Sequence, residues 1–225
     1  MSQIYKALRK NPSATPADER VLAALHEIPV AALSDNMHRN IGTSGLQPYH
    51  RPGDKTMAGT AVTARSRCGD NLTYLRALEF CRPGDVLVID GGGDLNNAAV
   101  GGILSFYAAR IGLAGLVIDG AIRDVAEIRS RDFPVYARGV THRGPYKDGP
   151  GEINVTISVG GMVVNPGDIV VGDQDGLLAI PQDGVEALID RARATLAAEA
   201  QTMRAMQEDR WDRSFIDALE ARCNN

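Results

Sequence analysis

Residues 85–119, DVLVIDGGGDLNNAAVGGILSFYAARIGLAGLVID, decide the fold of this chain. They contain two short β-branched runs, 85–90 and 116–119, of the kind found in strands that are buried on both faces. The stretch between them, 97–111, has the composition and length of a crossover helix. A strand, a crossover helix and a second strand make a parallel β-α-β unit, so the sequence predicts an α/β fold.

Further elements are predicted on both sides of this unit. The predicted helices are 17–28, 30–38, 72–80 and 124–131, and the predicted strands are 57–65, 133–137, 153–159, 162–164, 168–173 and 177–180. Residues 1–16 are predicted to form a polar, loosely ordered arm, and 184–221 are predicted to form a terminal helix. This helix either packs across a subunit boundary or presents a solvated face. Pro-Gly-Asp occurs at 83–85 and again at 166–168, which predicts the same turn before two strands.

The composition excludes several classes of protein. The 225 residues are 44% hydrophobic and 23% charged, as in an ordinary globular protein. A net charge of −4 without a basic stripe argues against nucleic acid as a partner. The cysteines are three in number and form no Cys-x-x-Cys pair, so a disulfide framework and a zinc knuckle are not expected. No apolar run reaches membrane-spanning length and no signal peptide begins the chain, so we expect a cytoplasmic protein without a membrane partner.

Two glycine-rich turns lie inside the deciding stretch. Gly91–Gly93 suggest a dinucleotide-binding loop, but Asn96 stands where G-x-G-x-x-G requires glycine. Gly101 and Gly102 fall within the predicted helix, where each glycine costs about 1 kcal/mol relative to alanine. Either the helix begins there and directs backbone amides at an anion, or the helix packs closely on a strand.

The segment Asp119–Glu127, DGAIRDVAE, places an Arg-Asp pair after a predicted strand. Asp124 and Glu127 have the spacing of a capping box. Alternatively, Arg123 is a two-pronged ligand for a carboxylate, and Asp124 is an oxygen ligand for a divalent cation. A polar loop around His142 is predicted to be a lid or an interface arm. No hydrolase or kinase motif occurs.

From about residue 30 to residue 181 the sequence resembles the RraA-like proteins. These include class II aldolases acting on 4-hydroxy-4-methyl-2-oxoglutarate and 4-carboxy-4-hydroxy-2-oxoadipate. The resemblance rests on Gly102, twenty residues, Arg123-Asp124, two residues and Glu127, and on the segments GLVIDGAIRD and NPGDIVVGDQDG. It implies a single domain over 1–225, with a core at about 30–181 and a C-terminal helical extension at about 184–221. The implied fold is a compact swivelling β/β/α fold of the phosphohistidine-domain type with helical N- and C-terminal extensions, assembled as a homotrimer or homohexamer.

The resemblance also implies roles for individual residues. Asp124 would hold Mg²⁺ or Mn²⁺, largely through water, and Arg123 would bind the pyruvyl part of the substrate. Backbone amides of Gly101, Gly102, Ile103 and Leu104 would bind the substrate carboxylate. The family's aldolases usually carry Asp or Glu at the position of Gly102. Asp94 or Asn97 in the preceding turn, or Glu199 from a neighbouring subunit, could take over that role.

The activity implied by the resemblance is that of a metal-dependent lyase. It would cleave 4-hydroxy-2-oxo dicarboxylic acids to pyruvate through an enolate and decarboxylate oxaloacetate as a side activity. Only four lysines occur, none of them beside the Arg-Asp pair in sequence, which argues against a Schiff-base aldolase. The alternative is a non-catalytic regulator that binds a protein partner of a ribonuclease, as some relatives do.

Overall fold

The computed structural model describes residues 8–39, 41–53 and 56–223. The strands of this part are β1 Leu8–Lys10, β2 Gln47–Pro48, β3 Met57–Ser66, β4 Asp85–Val100, β5 Gly115–Ile122, β6 Val135–Val140, β7 Gly151–Ile153, β8 Ile157–Val159, β9 Met162–Val164, β10 Ile169–Gly172 and β11 Leu177–Ile180. The helices are α1 Glu19–Leu25, α2 Val30–Asp35, α3 Leu72–Ala77, α4 Gly102–Arg110, α5 Val125–Arg129, α6 Val185–Gln207 and α7 Ser214–Cys223, and a 3-10 turn, Leu78–Phe80, follows α3. Among these described helices, none is apolar over the length that a membrane crossing needs.

The main sheet has nine strands within the described residues, and β3, β4, β5 and β6 form its parallel centre. Leu87 and Ile89 of β4 pack in the cluster that includes residues of α3, α4 and α5. Val86 and Val88 point to the other face, where residues of β8 and β9 cover them. Because both faces are covered, β4 and β5 carry the continuous apolar runs that predicted buried strands. That prediction and the α/β fold are confirmed.

The remaining strands extend the sheet at its edges. β7 pairs antiparallel with the end of β3, and β1 pairs with β7. β10 pairs antiparallel with the start of β3 and with β11. Helices α1, α2 and α6 pack against β10 and β11 in a separate apolar cluster. The helices that border the centre of the sheet, α3 to α5, therefore share no cluster with the C-terminal helix α6.

Three predicted boundaries differ from the structure. The helix predicted at 97–111 begins only at Gly102, because β4 continues through its glycines and pairs as far as Val100 with Ile122. Register shifts between Asp90 and Val100 absorb the extra residues, as β-bulges do. The strand predicted at 153–159 is two strands, separated where Asn154 has a φ of 55°. The helix predicted at 30–38 ends at Asp35, before two residues with positive φ, His38 and Arg39.

The two ends of the chain differ from the prediction as well. The predicted loose arm includes strand β1, although its first seven residues lie outside the described part. The single terminal helix predicted at 184–221 is two helices, with a break near Asp209, whose φ is 52°. The first half of α6 buries Val185, Leu188, Ile189 and Ala192 within its own chain.

The two Pro-Gly-Asp segments form the same turn, as predicted. Asp85 Oδ2 accepts a hydrogen bond from the Arg82 amide at 2.7 Å, and Asp168 Oδ2 accepts one from the Asn165 amide at 2.7 Å. Gly84 and Gly167 both have left-handed φ, at 86° and 92°. A carboxylate that accepts from the residue three positions earlier closes each turn before its strand begins.

Candidate active site

The candidate site is built where β4 ends and α4 begins. Gly101 has extended backbone, with φ −136° and ψ −171°, and precedes the first residue of α4. A Cβ atom at Gly101 would lie 2.7 Å from Asp124 Oδ2 and 3.1 Å from Arg123 Cγ. Glycine is therefore needed because the Arg-Asp pair packs directly against this turn. The structure confirms that a helix begins here, and it also shows close packing at both glycines; the binding of an anion by the helix amides stays a prediction.

Asp124 lies at the start of α5 with a left-handed φ of 60°. Its carboxylate makes no capping hydrogen bond to α5, so the capping-box interpretation is wrong. Instead, Asp124 Oδ2 accepts a hydrogen bond from the Gly102 amide at 2.9 Å, the first amide of α4. Left-handed backbone is one that aspartate tolerates better than most residues, and here it turns the carboxylate toward the neighbouring helix.

Arg123 lies beside Asp124 in the turn between β5 and α5. Its amide donates to the Val100 carbonyl at 3.0 Å, and its Nε lies 3.7 Å from Asp124 Oδ2. Both side chains are more than 40% exposed, at 42% and 45%, so this ion pair is weak and leaves both groups accessible to a ligand. Because Gly102 already donates to Asp124, the first-turn amides left for a substrate carboxylate are those of Ile103 and Leu104.

Glu127 provides a second carboxylate beside Gly102. A Cβ at Gly102 would overlap Glu127 Oε2 and lie 2.7 Å from Glu127 Cδ. Arg131 holds this carboxylate through Oε1 and also donates to the Gly102 carbonyl at 3.5 Å and Ser105 Oγ at 3.4 Å. The sequence pattern includes Glu127, but its position over Gly102 depends on how α5 packs on α4.

The Arg-Asp pair opens onto a cavity of about 350 Å³. Residues of five segments line it: Asn71, Leu75, Leu78, Ala98, Ala99, Gly101, Ile103, Leu104, Tyr107, Arg123, Asp124, Pro145 and Lys147. Sequence reasoning missed Asn71, which immediately precedes α3, and Lys147, which belongs to the 141–150 loop. From the sequence, only lysines beside the Arg-Asp pair in the chain were considered, whereas Lys147 lines the same cavity as the pair from a distant loop. Its closeness to the pair comes from the return of a distant loop, which sequence spacing does not reveal.

The polar 141–150 loop is held against the site by a buried carboxylate. Asp70 is 1% exposed and accepts from the amides of Leu72 at 3.0 Å, Asp148 at 2.6 Å and Gly149 at 3.0 Å. Burial alone raises the pKa of Asp70, but these amides and Arg67 outweigh it and bring the pKa below its usual value. Gly144 lies against Arg123, since a Cβ there would be 3.1 Å from Arg123 Nη1. The loop is thus part of the cavity wall.

Three predicted residues do not line the cavity. Asp94 accepts from the amides of Asn96 at 3.0 Å and Asn97 at 3.3 Å and does not line the cavity. Asn97 donates to the Gly144 carbonyl at 2.6 Å, so it supports the loop. Glu199 is exposed on α6, which packs on α1 and α2, and within this chain it is not brought to the cavity.

The carboxylates at this site suit only certain metal ions. Among residues 8–39, 41–53 and 56–223, no group of three or more His, Cys, Asp or Glu is arranged to enclose a metal ion. Asp124 and Glu127 nevertheless place two carboxylates around Gly102. Mg²⁺ typically binds one or two carboxylates and keeps several waters, so these residues fit a water-rich cation such as Mg²⁺ or Mn²⁺.

Comparisons with known proteins agree with this architecture. The family model described as RraA-like, Aldolase/RraA, matches residues 30–179. A protein of Halalkalibacterium halodurans, provisionally named 4-hydroxy-4-methyl-2-oxoglutarate aldolase, is 38% identical over 184 residues, 81% of this chain and 86% of its own length.

Two solved structures resemble the fold. The structure titled RNA-processing inhibitor RraA from Thermus thermophilis is 34% identical, with a TM-score of 0.62 over 69% of this chain and 93% of that one. RraAS2 of Streptomyces coelicolor, described as an unusual member of the RNase ES inhibitor RraA family, is 27% identical, with a TM-score of 0.76 over 84% of this chain and 98% of that one. The chain therefore belongs to the RraA-like family.

Proposed function

We propose that this protein is a divalent-metal-dependent lyase that cleaves 4-hydroxy-2-oxo dicarboxylic acids to pyruvate, with oxaloacetate decarboxylation as a side activity. The observation that carries the proposal is the convergence of Arg123, Asp124 and the N-terminus of α4 on one cavity. Such a site binds the carboxylate of a 2-oxo acid and places positive charge beside its keto oxygen. The 38% identical relative with an aldolase name supports this choice.

Asp124, with Glu127 beside it, would hold the cation and its waters. When bound, Mg²⁺ or Mn²⁺ supplies a Lewis acid for the keto oxygen of the substrate. The protein's own contribution is electrostatic. The Arg123 guanidinium is a fixed positive charge that stabilises the enolate oxygen as the bond between C3 and C4 breaks. The amides of Ile103 and Leu104 orient the substrate carboxylate, and Arg131 fixes Glu127 in place.

Cleavage also requires loss of the proton of the C4 hydroxyl. The electron pair of the O–H bond then forms the C4 carbonyl, and the C3–C4 pair becomes the enolate that is protonated to pyruvate. Carboxylates such as Asp124 and Glu127 can hold a water as the proton acceptor. Decarboxylation of oxaloacetate forms the same enolate, which is why one site would perform both reactions.

A second function is favoured by one observation. The chain is 34% identical to the Thermus thermophilis protein described as an RNA-processing inhibitor, and the match covers 93% of that protein. As a regulator, this protein would bind a protein partner of a ribonuclease and would need no turnover. Ile103, Phe106 and Tyr107 on α4 are 86%, 55% and 52% exposed, and such apolar residues suit an interface.

The deciding experiment measures pyruvate release from 4-hydroxy-4-methyl-2-oxoglutarate and from oxaloacetate, with Mg²⁺ and then with excess chelator. We expect release from both that the chelator abolishes and that added Mn²⁺ or Mg²⁺ restores. Because Lys147 lines the cavity, borohydride in the presence of pyruvate should be tested in parallel, and no covalent adduct is expected. Chelator-resistant release with a trapped adduct contradicts the metal mechanism. No release from a folded protein favours the regulator.

A further inference from the structure

The carboxylates of Asp124 and Glu127 are each held by the protein through one oxygen atom. Asp124 Oδ2 accepts a hydrogen bond from the Gly102 amide at 2.9 Å, and the Arg131 guanidinium binds Glu127 Oε1. The other two oxygens, Asp124 Oδ1 and Glu127 Oε2, accept no hydrogen bond from residues 8–39, 41–53 and 56–223. The two side chains are 45% and 51% exposed. The site therefore offers one uncommitted oxygen from each carboxylate to a hydrated cation.

The guanidinium of Arg131 is held by contacts beyond its ion pair with Glu127. Its Nη2 binds Glu127, while its Nη1 donates to the Gly102 carbonyl at 3.5 Å and to Ser105 Oγ at 3.4 Å. The guanidinium carbon also lies 5.0 Å from the centre of the Phe106 ring. An exposed ion pair alone is weak, but these contacts with α4 restrict the rigid, planar group. Glu127 Oε1 is thus kept occupied.

The number of uncommitted oxygens decides which cations such a site suits. Mg²⁺ is small, binds one or two carboxylates and keeps several of its waters. Ca²⁺ is larger and takes roughly six to eight oxygen ligands, often both oxygens of one carboxylate. A carboxylate with one oxygen occupied by an arginine cannot bind an ion through both oxygens. The contacts of Glu127 therefore favour the smaller cation.

We propose that Arg131 is a positioning residue that sets the metal selectivity of the site. By occupying Glu127 Oε1, Arg131 leaves only Oε2 for the cation, so Mg²⁺ and Mn²⁺ are favoured over Ca²⁺. Nothing in the order of the sequence reveals this role, because it depends on the packing of the segment after α5 against the first turn of α4. The inference rests on the proposed lyase function and specifies which ions its site accepts.

The test measures metal binding by the full-length protein, separately from turnover. Mn²⁺ bound to the protein is displaced by Mg²⁺ or by Ca²⁺, and the released Mn²⁺ is followed by electron paramagnetic resonance. Only the Mn²⁺ that Asp124→Asn fails to bind is counted. The measured quantity is the dissociation constant for Ca²⁺ divided by that for Mg²⁺. We expect Arg131→Met to lower this ratio about tenfold, because Ca²⁺ gains an oxygen that Mg²⁺ does not need.

The ratio separates selectivity from the general effect of charge. Loss of Arg131 removes a positive charge and strengthens the binding of both ions. Since Mg²⁺ and Ca²⁺ carry the same charge, that effect is nearly equal for the two and cancels in the ratio. Arg131→Lys keeps a cation beside Glu127 and should retain most of the native ratio. It also serves as the test if Arg131→Met does not fold.

Two further variants are matched controls. Arg129→Met makes the same chemical change on α5, where the Arg129 guanidinium lies over the Tyr49 ring, and should leave the ratio unaltered. In a Glu127→Ala background, Arg131→Met should have no effect on the ratio, because the oxygen that it would release is absent. A native ratio in Arg131→Met overturns the proposal. An equal shift in Arg129→Met, or a shift that persists without Glu127, overturns it as well.

Pyruvate release, measured on the same samples, distinguishes this proposal from the lyase function. If Mn²⁺-dependent release occurs while the ratio is insensitive to Arg131, the selectivity role is wrong and the lyase function stands. If the ratio shifts as expected but no substrate yields pyruvate, the selective metal site stands and the lyase function is wrong. If the native protein neither binds Mn²⁺ through Asp124 nor releases pyruvate, both fail.

Discussion

The Glu127 carboxylate occupies the space into which a side chain at Gly102 would project. The aldolases that this sequence resembles usually carry an acid at that position, whereas this chain carries glycine followed, on the next helix, by Glu127. The two arrangements place a carboxylate at the same end of α4 from different points of the chain. In this structure Arg131 holds the carboxylate there, which a side chain on residue 102 would not require.

Moving the acid from position 127 to position 102 tests whether the two positions are equivalent. We expect Gly102→Asp and Glu127→Ala each to lower kcat/KM for pyruvate release about 10- to 100-fold, the usual cost of disturbing the groups around a metal site. The first crowds two carboxylates and the second removes one. The double variant again has one carboxylate beside Asp124 at this end of α4, so it should regain most of the activity. A double variant as inactive as the poorer single variant would show that the two acids are not equivalent.

Substitution at Gly101 should impair the site without unfolding the chain. A Cβ there lies 2.7 Å from Asp124 Oδ2, so Gly101→Ala must displace the carboxylate. Activity is expected to fall about tenfold or more. Its backbone, at φ −136°, is open to alanine, so the free energy of unfolding should change by less than about 1 kcal/mol. Gly53→Ala is the control, since no atom of the described residues lies within 4 Å of a Cβ built there. Equal losses in both variants would argue against a specific clash.

Removal of either charge of the Arg-Asp pair should abolish turnover. We expect Arg123→Ala and Asp124→Ala to lower kcat at least about 100-fold, in line with the loss of a group that stabilises developing charge. Asp124→Asn is the better-matched change, because asparagine also tolerates left-handed backbone. Circular dichroism and gel filtration should match the native protein. Full metal-dependent activity in Asp124→Asn would place the cation elsewhere.

The strands of the core and the candidate residues were predictable because both leave local signals. Runs such as 85–90 are apolar on both faces, and Gly102, Arg123, Asp124 and Glu127 keep a fixed spacing. The start of α4 was not predictable, since the glycine turn of β4 continues as a bulged strand only because β5 is there to pair with it. Lys147 was missed for a related reason: its neighbours are held by Asp70, a residue 77 positions earlier in the chain.

The pH dependence of stability should report on Asp70. The pKa of Asp70 is below its usual value of 3.8 in the folded chain, so its stabilising effect is complete above about pH 4 and is lost as the pH falls through the folded pKa. Asp70→Asn should lower the free energy of unfolding by about 2 kcal/mol at pH 7 and flatten its decline in acid. Urea unfolding between about pH 7 and pH 2 measures both.

Asp148→Asn is the matched control for this prediction. Asp148 contacts the same Arg67 at 3.2 Å, but its side chain is 74% exposed. Its replacement should change the free energy of unfolding by less than about 0.5 kcal/mol at any pH. If Asp148→Asn flattened the acid decline as much as Asp70→Asn, the effect would come from net charge and not from the buried carboxylate.

The way Asp70 fastens the 141–150 loop has a consequence for how new specificities arise. The groups proposed for bond cleavage belong to α4 and to the β5–α5 turn, which the sheet holds in place, whereas Pro145 and Lys147 belong to a loop held by Asp70, Asn97 and a few backbone hydrogen bonds. Insertions or exchanges between residues 143 and 147 could therefore retune which molecules are accepted while the reactive half is inherited intact. An engineer seeking a lyase for a different acid should randomise that loop first and leave Asp70 untouched.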